Sequence, residues 1–380
     1  MSGDHARNFS DSVLHARAAA LDVARFVYEH PEQGSEEVQS SKYIIETLRR
    51  NGLVVENPLL GMDTAFACTF GSGKHVMVMA EYDALPVGHA CAHNLIAAWA
   101  VGIAVALKQD KEFAGRLSIV GTPAEEGHGP YASSKVVIGP EMKKRGVDAV
   151  FAVHGDDVWG IGGRRYAIAI HGFTFKGEQA HPAIRPELGS NALDAAVEFY
   201  LSMKMLRMLV KREEDVILSA VITDGGKAPN IIPGTAKVAT NVRTVSSDYL
   251  EEVVGEVRRR AGAAASVANC TVDVESLAPV MMPAARYPEL DSLLHRHLAA
   301  YVEAESPDET WAKPPIASTD YGNVSQIIPS THLSMKIAPD GIRPHMTEFK
   351  KYADPSLAEE PLLVAVSAAC DAIKEFARQS

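Results

Sequence analysis

The residues whose types and spacing could support chemistry are concentrated at residues 81–94, which read EYDALPVGHACAHN. Within this segment His89, Cys91 and His93 occur at alternate positions, and an extended backbone would point all three to the same side. A thiolate close to one or two imidazoles is typical of a metal site. A buried thiol beside two structural histidines gives the same pattern, so this segment alone leaves both interpretations open.

Regular elements are expected on both sides of this segment. The apolar run at residues 76–80 predicts a buried strand before it, and the apolar run at residues 95–107 predicts a core helix after it. Asn94 is placed to cap that helix. The candidate metal ligands are therefore expected where a strand is followed by a helix.

Further polar residues follow other apolar strands of the chain. They are Glu125 and Glu126, His154, and His345. Because open parallel sheets bind ligands at the carboxyl ends of their strands, we expect these side chains to share one edge with Cys91 and His93. One thiolate, three imidazoles and one carboxylate exceed the four ligands of a single zinc ion and would suit two ions about 3.5–4 Å apart. The remaining glutamate could then accept a proton from water activated by the metal.

The composition restricts the class of protein. The chain has 380 residues, 47% hydrophobic and 22% charged, as expected of a globular protein with one large domain or two. A net charge of −11 without long basic runs argues against nucleic acid or a membrane surface as a partner. The first eight residues lack the apolar core of a secretory signal, and the most apolar helix is too short to cross a bilayer. Four scattered cysteines favour a cytoplasmic setting.

The order of predicted elements indicates two domains. Strands and helices alternate over residues 1–165 and 279–380, which predicts an α/β layered domain with a mixed, mostly parallel sheet. Residues 166–278 read strand, helix, strand, strand, helix, strand, which is the order of a ferredoxin-like α+β domain. We therefore expect a metal-binding domain that is interrupted by an inserted domain.

Several motifs, in order along nearly the whole chain, resemble the two-metal metallopeptidase and aminoacylase family in its amidohydrolase branch. This family includes glutamate carboxypeptidase, aminoacylases, auxin amino-acid-conjugate hydrolases and aminobenzoyl-glutamate hydrolase. The motifs are HPEQGSEE at 30–37, YDALP at 82–86, HACAHN at 89–94, TPAEEG at 122–127, APNIIPG at 228–234, STDYGN at 318–323 and HMTEF at 345–349.

The resemblance implies a role for each matched residue. The implied metal ligands are Cys91, His93, Glu126, His154 and His345. Glu125 would be the general base and acid, and His181 of the inserted lid would stabilise the oxyanion at a neighbouring active site. Asn230 and Arg243 match lid positions that hold the substrate carboxylate. The implied cofactors are one or two divalent ions per subunit, zinc or manganese, and the lid is expected to form a homodimer.

Two residues depart from the family pattern. Ala92 replaces the glycine usually found between the cysteine and the histidine, and this change could alter the local turn. His128 stands where the family commonly has a further glycine, and it would add a metal ligand, contact the substrate or lie in solvent.

The sequence therefore predicts a metal-dependent amidohydrolase. Its substrate would be an N-acyl amino acid, a dipeptide or an aryl-amide conjugate with a free carboxylate. One alternative is hydrolysis of another C–N bond, such as deamination of an aryl amine or amidine, because water activation is the same. Another alternative is a non-catalytic metal-binding or ligand-binding relative, against which the retained Glu125 argues.

Overall fold

The computed structural model describes residues 9–379, apart from the side chain of Glu214. The expectation about the first eight residues therefore lies outside the described residues. The described chain forms two compact units. One unit runs up to Arg164 and continues with Ala284–Pro314 and the residues from Asn323 onward, and the other comprises Arg165–Pro283 and Pro315–Gly322.

Eleven strands are formed by the described residues. They are β1 (Val55–Glu56), β2 (Phe66–Gly71), β3 (His75–Ala80), β4 (Arg116–Gly121), β5 (Ala149–Asp156), β6 (Gly160–Ile161), β7 (Ala167–Lys176), β8 (Ile217–Asp224), β9 (Thr235–Thr244), β10 (Thr271–Ser276) and β11 (Ser330–Lys336).

Ten α-helices accompany these strands in the described part of the chain. They are α1 (Asp11–Glu29), α2 (Val38–Arg50), α3 (His93–Gln109), α4 (Lys135–Lys144), α5 (Ala192–Leu206), α6 (Ser247–Val267), α7 (Pro288–Leu298), α8 (Pro307–Ala312), α9 (Tyr321–Ser325) and α10 (Pro355–Arg378). None of these helices is both long enough and apolar enough to cross a membrane.

The first unit is built on a mixed sheet with the strand order β1-β2-β4-β3-β5-β11-β6. The four central strands, β4, β3, β5 and β11, are parallel to one another, whereas β1, β2 and β6 pair antiparallel. Strand β3 is buried along its full length, as expected for an apolar strand at the centre of a parallel sheet. This mostly parallel sheet confirms the predicted α/β layered class.

Helix α3 is the central helix of the first unit. Its residues from His93 to Leu107 are all buried, and the helix packs against β3, α1 and α10. The indole Nε1 of Trp99, fully buried in this helix, donates a hydrogen bond of 3.0 Å to the carbonyl oxygen of Ala365 in α10. The almost uninterrupted apolar sequence therefore makes α3 a core helix whose first turn is held rigidly beside the end of β3.

The second unit is a four-stranded antiparallel sheet with two helices. Its strand order is β10-β7-β9-β8, and the chain order β7, α5, β8, β9, α6, β10 gives a ferredoxin-like topology. Helices α5 and α6 pack on each other and on the sheet, burying an apolar core that includes Phe173, Phe199 and Val257. The predicted ferredoxin-like fold of the insertion is confirmed.

The boundaries of some elements differ from the sequence pattern. The sequence pattern predicts a helix around residues 131–145, but α4 begins only at Lys135, after a turn in which Ser133 has a φ of 58°. It also predicts a helix near residues 287–304, but α7 ends at Leu298. The sequence pattern does not predict the two-residue strands β1 and β6, because they are too short to show a periodic pattern.

Candidate metal centre

The parallel strands bring the predicted site residues to one edge of the sheet. Ala80 at the end of β3 pairs with Gly121 at the end of β4, so Glu81 and the segment containing Glu125 leave the sheet side by side. His154 lies near the end of β5 and pairs with Ser334 of β11. This arrangement follows from parallel pairing, which aligns the carboxyl ends of neighbouring strands.

Six of the predicted residues meet at this edge. The potential ligand atoms of Cys91, His93 and Glu126 all lie within 4.8 Å of one another. The rings of His93 and His154 are perpendicular, with their centroids 5.7 Å apart. His345 Nε2 lies 3.3 Å from Glu126 Oε1, and Glu125 Oε2 lies 3.9 Å from His93 Nε2. The proposed ligands and the proposed base therefore share one pocket.

Asp83 fixes the orientation of His93. The Nδ1 atom of His93 lies 2.8 Å from Asp83 Oδ1 and 3.0 Å from the Asp83 carbonyl oxygen, so Nδ1 must be the donor. The other carboxylate oxygen of Asp83 accepts a hydrogen bond of 2.9 Å from the backbone N–H of Glu126. A single buried carboxylate thus fixes the positions of two of the proposed ligands relative to each other.

The other two imidazoles are also held by the backbone. His154 Nδ1 donates to the carbonyl oxygen of Gly155 at 2.8 Å, so the neutral ring presents Nε2 as an acceptor. His345 has a φ of 72°, and its N–H donates to the carbonyl oxygen of Ala90 at 2.8 Å. This bond ties the loop after β11 to the loop that carries Cys91.

The segment that carries Cys91 and His93 is a turn, and two expectations about it are wrong. Its backbone is not extended, because His93 is already the first residue of α3 and Ala92 before it has a left-handed φ of 61°. Asn94 does not cap the helix, since it lies inside the first turn and its Nδ2 donates to the carbonyl oxygens of Ala24 and Ala353. The turn, and not strand alternation, brings the thiol and the imidazole together.

The acidic and thiol groups of the pocket repel one another. Burial raises the pKa of the Cys91 thiol, and it also raises the pKa of the Glu126 carboxyl. The charges of Glu125 and Asp83 raise the pKa of Glu126 further, against the opposing effect of His93. Glu126 Oε1 is buried without a hydrogen-bond partner in the described chain. A cation in this pocket would relieve this repulsion.

The histidines respond to the same environment. Burial lowers the pKa of His154 and of His345, and the charge of His93 lowers both further. Burial also disfavours the charged form of His93, but Cys91 and Asp83 outweigh it and raise the pKa of His93 well above its usual range. The pocket therefore favours a positive charge at its centre, while the surrounding imidazoles prefer the neutral form that binds metals.

The residues present fit a divalent metal. Thiolate, imidazole and carboxylate are all ligands of zinc, and the last two also suit manganese. Two of the candidate atoms, His93 Nε2 and Glu126 Oε1, are buried, and no donor or acceptor among residues 9–379 satisfies them. Buried polar atoms are normally satisfied, so two such atoms facing one pocket fit a site that could hold an ion.

The remaining predicted residues lie outside this cluster. His181 and Asn230 are exposed in the second unit, and Arg243 is partly buried on β9, where its Nη1 lies 3.5 Å from Ser318 Oγ. The side chain of His128 is exposed. His89 is buried and lies 2.8 Å from the carbonyl oxygen of Val27 through Nε2, and burial lowers its pKa to about 3.

Sequence reasoning missed several buried residues that support the site. Glu37 accepts a hydrogen bond of 2.7 Å from the N–H of Ala124, directly before the two glutamates. Lys135 is fully buried and pairs with Glu81 at 3.0 Å. One feature of the sequence indicated such residues. Glu81 and Asp83 follow an apolar strand, and charged side chains are rarely buried at such a position without a charged partner.

The chain is similar to known peptidases and amide hydrolases. Residues 163–268 match the peptidase dimerisation domain. The chain is 30% identical to the Xaa-Arg dipeptidase of Mus musculus over 327 residues, which cover 80% of this chain and 72% of that protein. It is 29% identical to a component of the p-aminobenzoyl-glutamate hydrolase of Escherichia coli over 290 residues, which cover 70% of this chain and 59% of that protein.

A solved structure shares the fold. It is a Bacillus subtilis protein described as a dinuclear metal-binding peptidase of the M20 family, with a TM-score of 0.69 and 20% identity over 96% of this chain and 99% of that one. Fold, site and relatives together define a metal-dependent hydrolase that acts on C–N bonds. The chain belongs to the M20 peptidase family.

The turn at Ala92 yields a prediction about how the site is packed. A Cβ added at Gly155 would lie 2.7 Å from the Cβ of Ala92, so Gly155→Ala should destabilise the protein by about 1–3 kcal/mol through overpacking. Ala92→Gly removes the opposing methyl group and suits the left-handed backbone, so the double variant should recover at least about 1 kcal/mol. Urea unfolding of the metal-stripped protein measures both.

Gly255→Ala is the matched control for this cycle. It introduces the same methyl group in α6, where a new Cβ meets no atom within 4 Å, and should leave stability unchanged or slightly raised. A double variant that is no more stable than Gly155→Ala alone would contradict the proposed contact.

Proposed function

We propose that this chain is an amidohydrolase that releases an amino acid from an N-acyl amino acid, a dipeptide or an aryl-amide conjugate with a free carboxylate. The observation that carries the proposal is the pocket in which Cys91, His93 and Glu126 converge with Glu125 beside them. Relatives named as a dipeptidase and as an aminobenzoyl-glutamate hydrolase support this substrate class.

We propose that the clustered side chains hold one or two divalent ions, zinc or manganese. The ligands would be Cys91, His93, Glu126, His154 and His345. Ions bound there supply Lewis-acid chemistry, which polarises a substrate carbonyl and makes water acidic enough to react near neutral pH.

Glu125 is the proposed proton carrier. It is adjacent to a proposed ligand, and its Oε2 lies 3.9 Å from His93 Nε2, the same distance as Glu126 Oε1. A carboxylate in this position can accept a proton from the attacking water and return it to the leaving amine. A pure binding protein would have no use for such a group.

His181 is the proposed donor to the oxyanion. Its Nδ1 accepts a hydrogen bond of 3.1 Å from the N–H of Ala183, so the neutral ring carries its proton on Nε2. That N–H is exposed and free to donate to a developing negative charge.

Asn230 and Arg243 are the proposed contacts of the substrate carboxylate. The Arg243 Nη1 lies 3.5 Å from the Ser318 hydroxyl, and burial lowers the pKa of the guanidinium. A partly buried guanidinium of this kind is suited to a bidentate bond with a carboxylate ligand.

We also propose a homodimer formed through the second unit. This unit carries the match to the peptidase dimerisation domain, and α5 exposes Val197, Leu201 and Met205, four residues apart on one helix face. The four cysteines are free, which supports the proposal of a cytoplasmic setting.

The adjacent glutamates provide a direct test of the mechanism. Glu125→Gln should retain bound metal and lose about 10²–10⁴-fold in kcat, because only proton transfer is removed. Glu126→Gln should lose metal as well, because it removes a ligand. Purified proteins would be loaded with Zn²⁺ or Mn²⁺, their metal content measured, and the release of amino acid followed from N-acyl amino acids, dipeptides and aminobenzoyl-glutamate. Release of ammonia in place of an amino acid, or no turnover of the wild type, would refute the proposal.

A second test concerns the lid histidine. His181→Ala should lower kcat by roughly 10²–10³-fold, because one oxyanion donor is lost, while metal content stays unchanged. His15→Ala, an exposed histidine of α1, is the matched control and should retain normal turnover. Near-normal kcat in the metal-loaded His181→Ala protein would exclude the assigned role.

A further inference from the structure

We propose that Glu81 is a further ligand of the metal centre and that Lys135 holds its carboxylate in place for this role. The inference rests on the proposed metal-dependent function and adds one carboxylate to the ligand set. Glu81 follows β3 directly and is 7% exposed, so its charge needs a partner within the protein.

The first observation is the direction of the His93 ring. Because Nδ1–H donates a hydrogen bond to Asp83 Oδ1, the neutral ring turns the lone pair of Nε2 into the pocket. This Nε2 is buried, and it has no hydrogen-bond partner in the described part of the chain. The carboxylate oxygen nearest to it is Glu81 Oε2 at 3.5 Å, compared with 3.9 Å for Glu125 and for Glu126. Two lone pairs facing each other at this distance repel unless a proton or a metal ion lies between them.

The separation of the two atoms fits a shared ion. Zinc binds imidazole nitrogen and carboxylate oxygen at about 2.0–2.2 Å, so two such ligands of one tetrahedral ion lie roughly 3.3–3.6 Å apart. The 3.5 Å between His93 Nε2 and Glu81 Oε2 falls in this range, as does the 3.3 Å between His345 Nε2 and Glu126 Oε1. The same spacing at two places in the pocket corresponds to two ions, with Glu81 beside the ion that His93 holds.

The second observation is the position of Lys135. Its side chain is fully buried, and its Nζ lies 3.0 Å from Glu81 Oε1, the oxygen that does not face His93. Lysine is almost never fully buried without a charged partner. The ammonium thus fixes the carboxylate so that only Oε2 faces the metal centre, and it offsets the charge that Glu81 adds to an already acidic pocket.

The loop before α4 explains how the lysine reaches this place. Ser133 has a left-handed φ of 58°, and its N–H donates to the carbonyl oxygen of Ala124 at 3.1 Å. The hydroxyl of Ser134 donates to the carbonyl oxygen of Pro123 at 2.6 Å. These bonds fold the chain back on the segment before the two glutamates and place the start of α4 beside the end of β3.

The test measures metal binding independently of turnover. Metal-stripped wild type, Glu81→Gln and Lys135→Met would be titrated with Zn²⁺ against a chromophoric chelator. Glu81→Gln should weaken one of the two binding events by more than about tenfold, because a ligand is removed. Lys135→Met should weaken the same event by roughly 10–100-fold, the usual effect of losing a group that orients a ligand.

Co²⁺-loaded protein distinguishes a ligand from a distant charge. Glu81→Gln should change the intensity and position of the d–d absorption bands, which report the ligand set, while the thiolate-to-metal charge-transfer band from Cys91 remains. Asp110→Asn is the matched control, because it breaks a pair of 3.0 Å with Lys374 just beyond the opposite end of α3, about 25 Å away along the helix. It should leave metal affinity within twofold of the wild type.

If Glu81→Gln does not fold, Glu81→Asp replaces it in the titration. This variant keeps the charge but has a side chain shorter by one methylene, so it should also lose affinity for one ion. Unchanged affinities and an unchanged Co²⁺ spectrum in a folded Glu81 variant would overturn the inference while leaving the proposed function intact. A wild type that binds no metal would instead refute the proposed function itself.

Discussion

The site depends on one buried carboxylate, that of Asp83. Its Oδ1 accepts a hydrogen bond from His93 Nδ1–H at the start of α3, and its Oδ2 accepts one from the N–H of Glu126 after β4. Three elements, β3, α3 and the segment after β4, are thereby fixed to one another at the edge of the sheet. Asp83 is fully buried, so these bonds form in an environment of low polarity where they are strong and where losing one is costly.

The rest of the pocket follows from the excess of negative charge that this arrangement creates. Glu81, Glu125 and Glu126 gather around the single nitrogen His93 Nε2, where the buried Lys135 pairs with Glu81 and the charge of His93 opposes the rise in the pKa of Glu126. Burial keeps His154 and His345 from supplying positive charge, because it lowers the pKa of both. The folded chain therefore holds electron-pair donors in place at the cost of mutual repulsion, which is the state expected of a preorganised metal site.

Much of the fold could be predicted from the sequence because it depends on local patterns. Strands β3, β4 and β5 and the core helix α3 are largely apolar runs, and the β-α-β-β-α-β order defines the inserted fold. The grouping of polar residues after parallel strands could be inferred because parallel pairing aligns strand ends. The two-residue strands β1 and β6 could not be predicted from the sequence, since they depend on their neighbours for stability.

The details of the site depend on contacts between residues that are distant in sequence. Nothing local to Lys135 indicates that it is buried, because its partner Glu81 lies directly after β3, far from Lys135 in the sequence. The left-handed backbone of Ala92 could not be predicted from the local sequence either, since alanine does not favour this conformation and the surrounding packing imposes it. The role of Asn94 was mistaken for the same reason, because its side-chain amide satisfies carbonyl groups of Ala24 and Ala353 in other parts of the fold.

The central claim is that residues from four strand ends hold metal ions in one pocket. It is tested most directly by anomalous diffraction at the metal absorption edge from crystals of the Zn²⁺-loaded protein. The account predicts two peaks about 3.5–4 Å apart, bounded by Cys91, His93, Glu126, His154 and His345. A metal-loaded crystal with no anomalous peak between these side chains, or with its ions bound elsewhere, would contradict it.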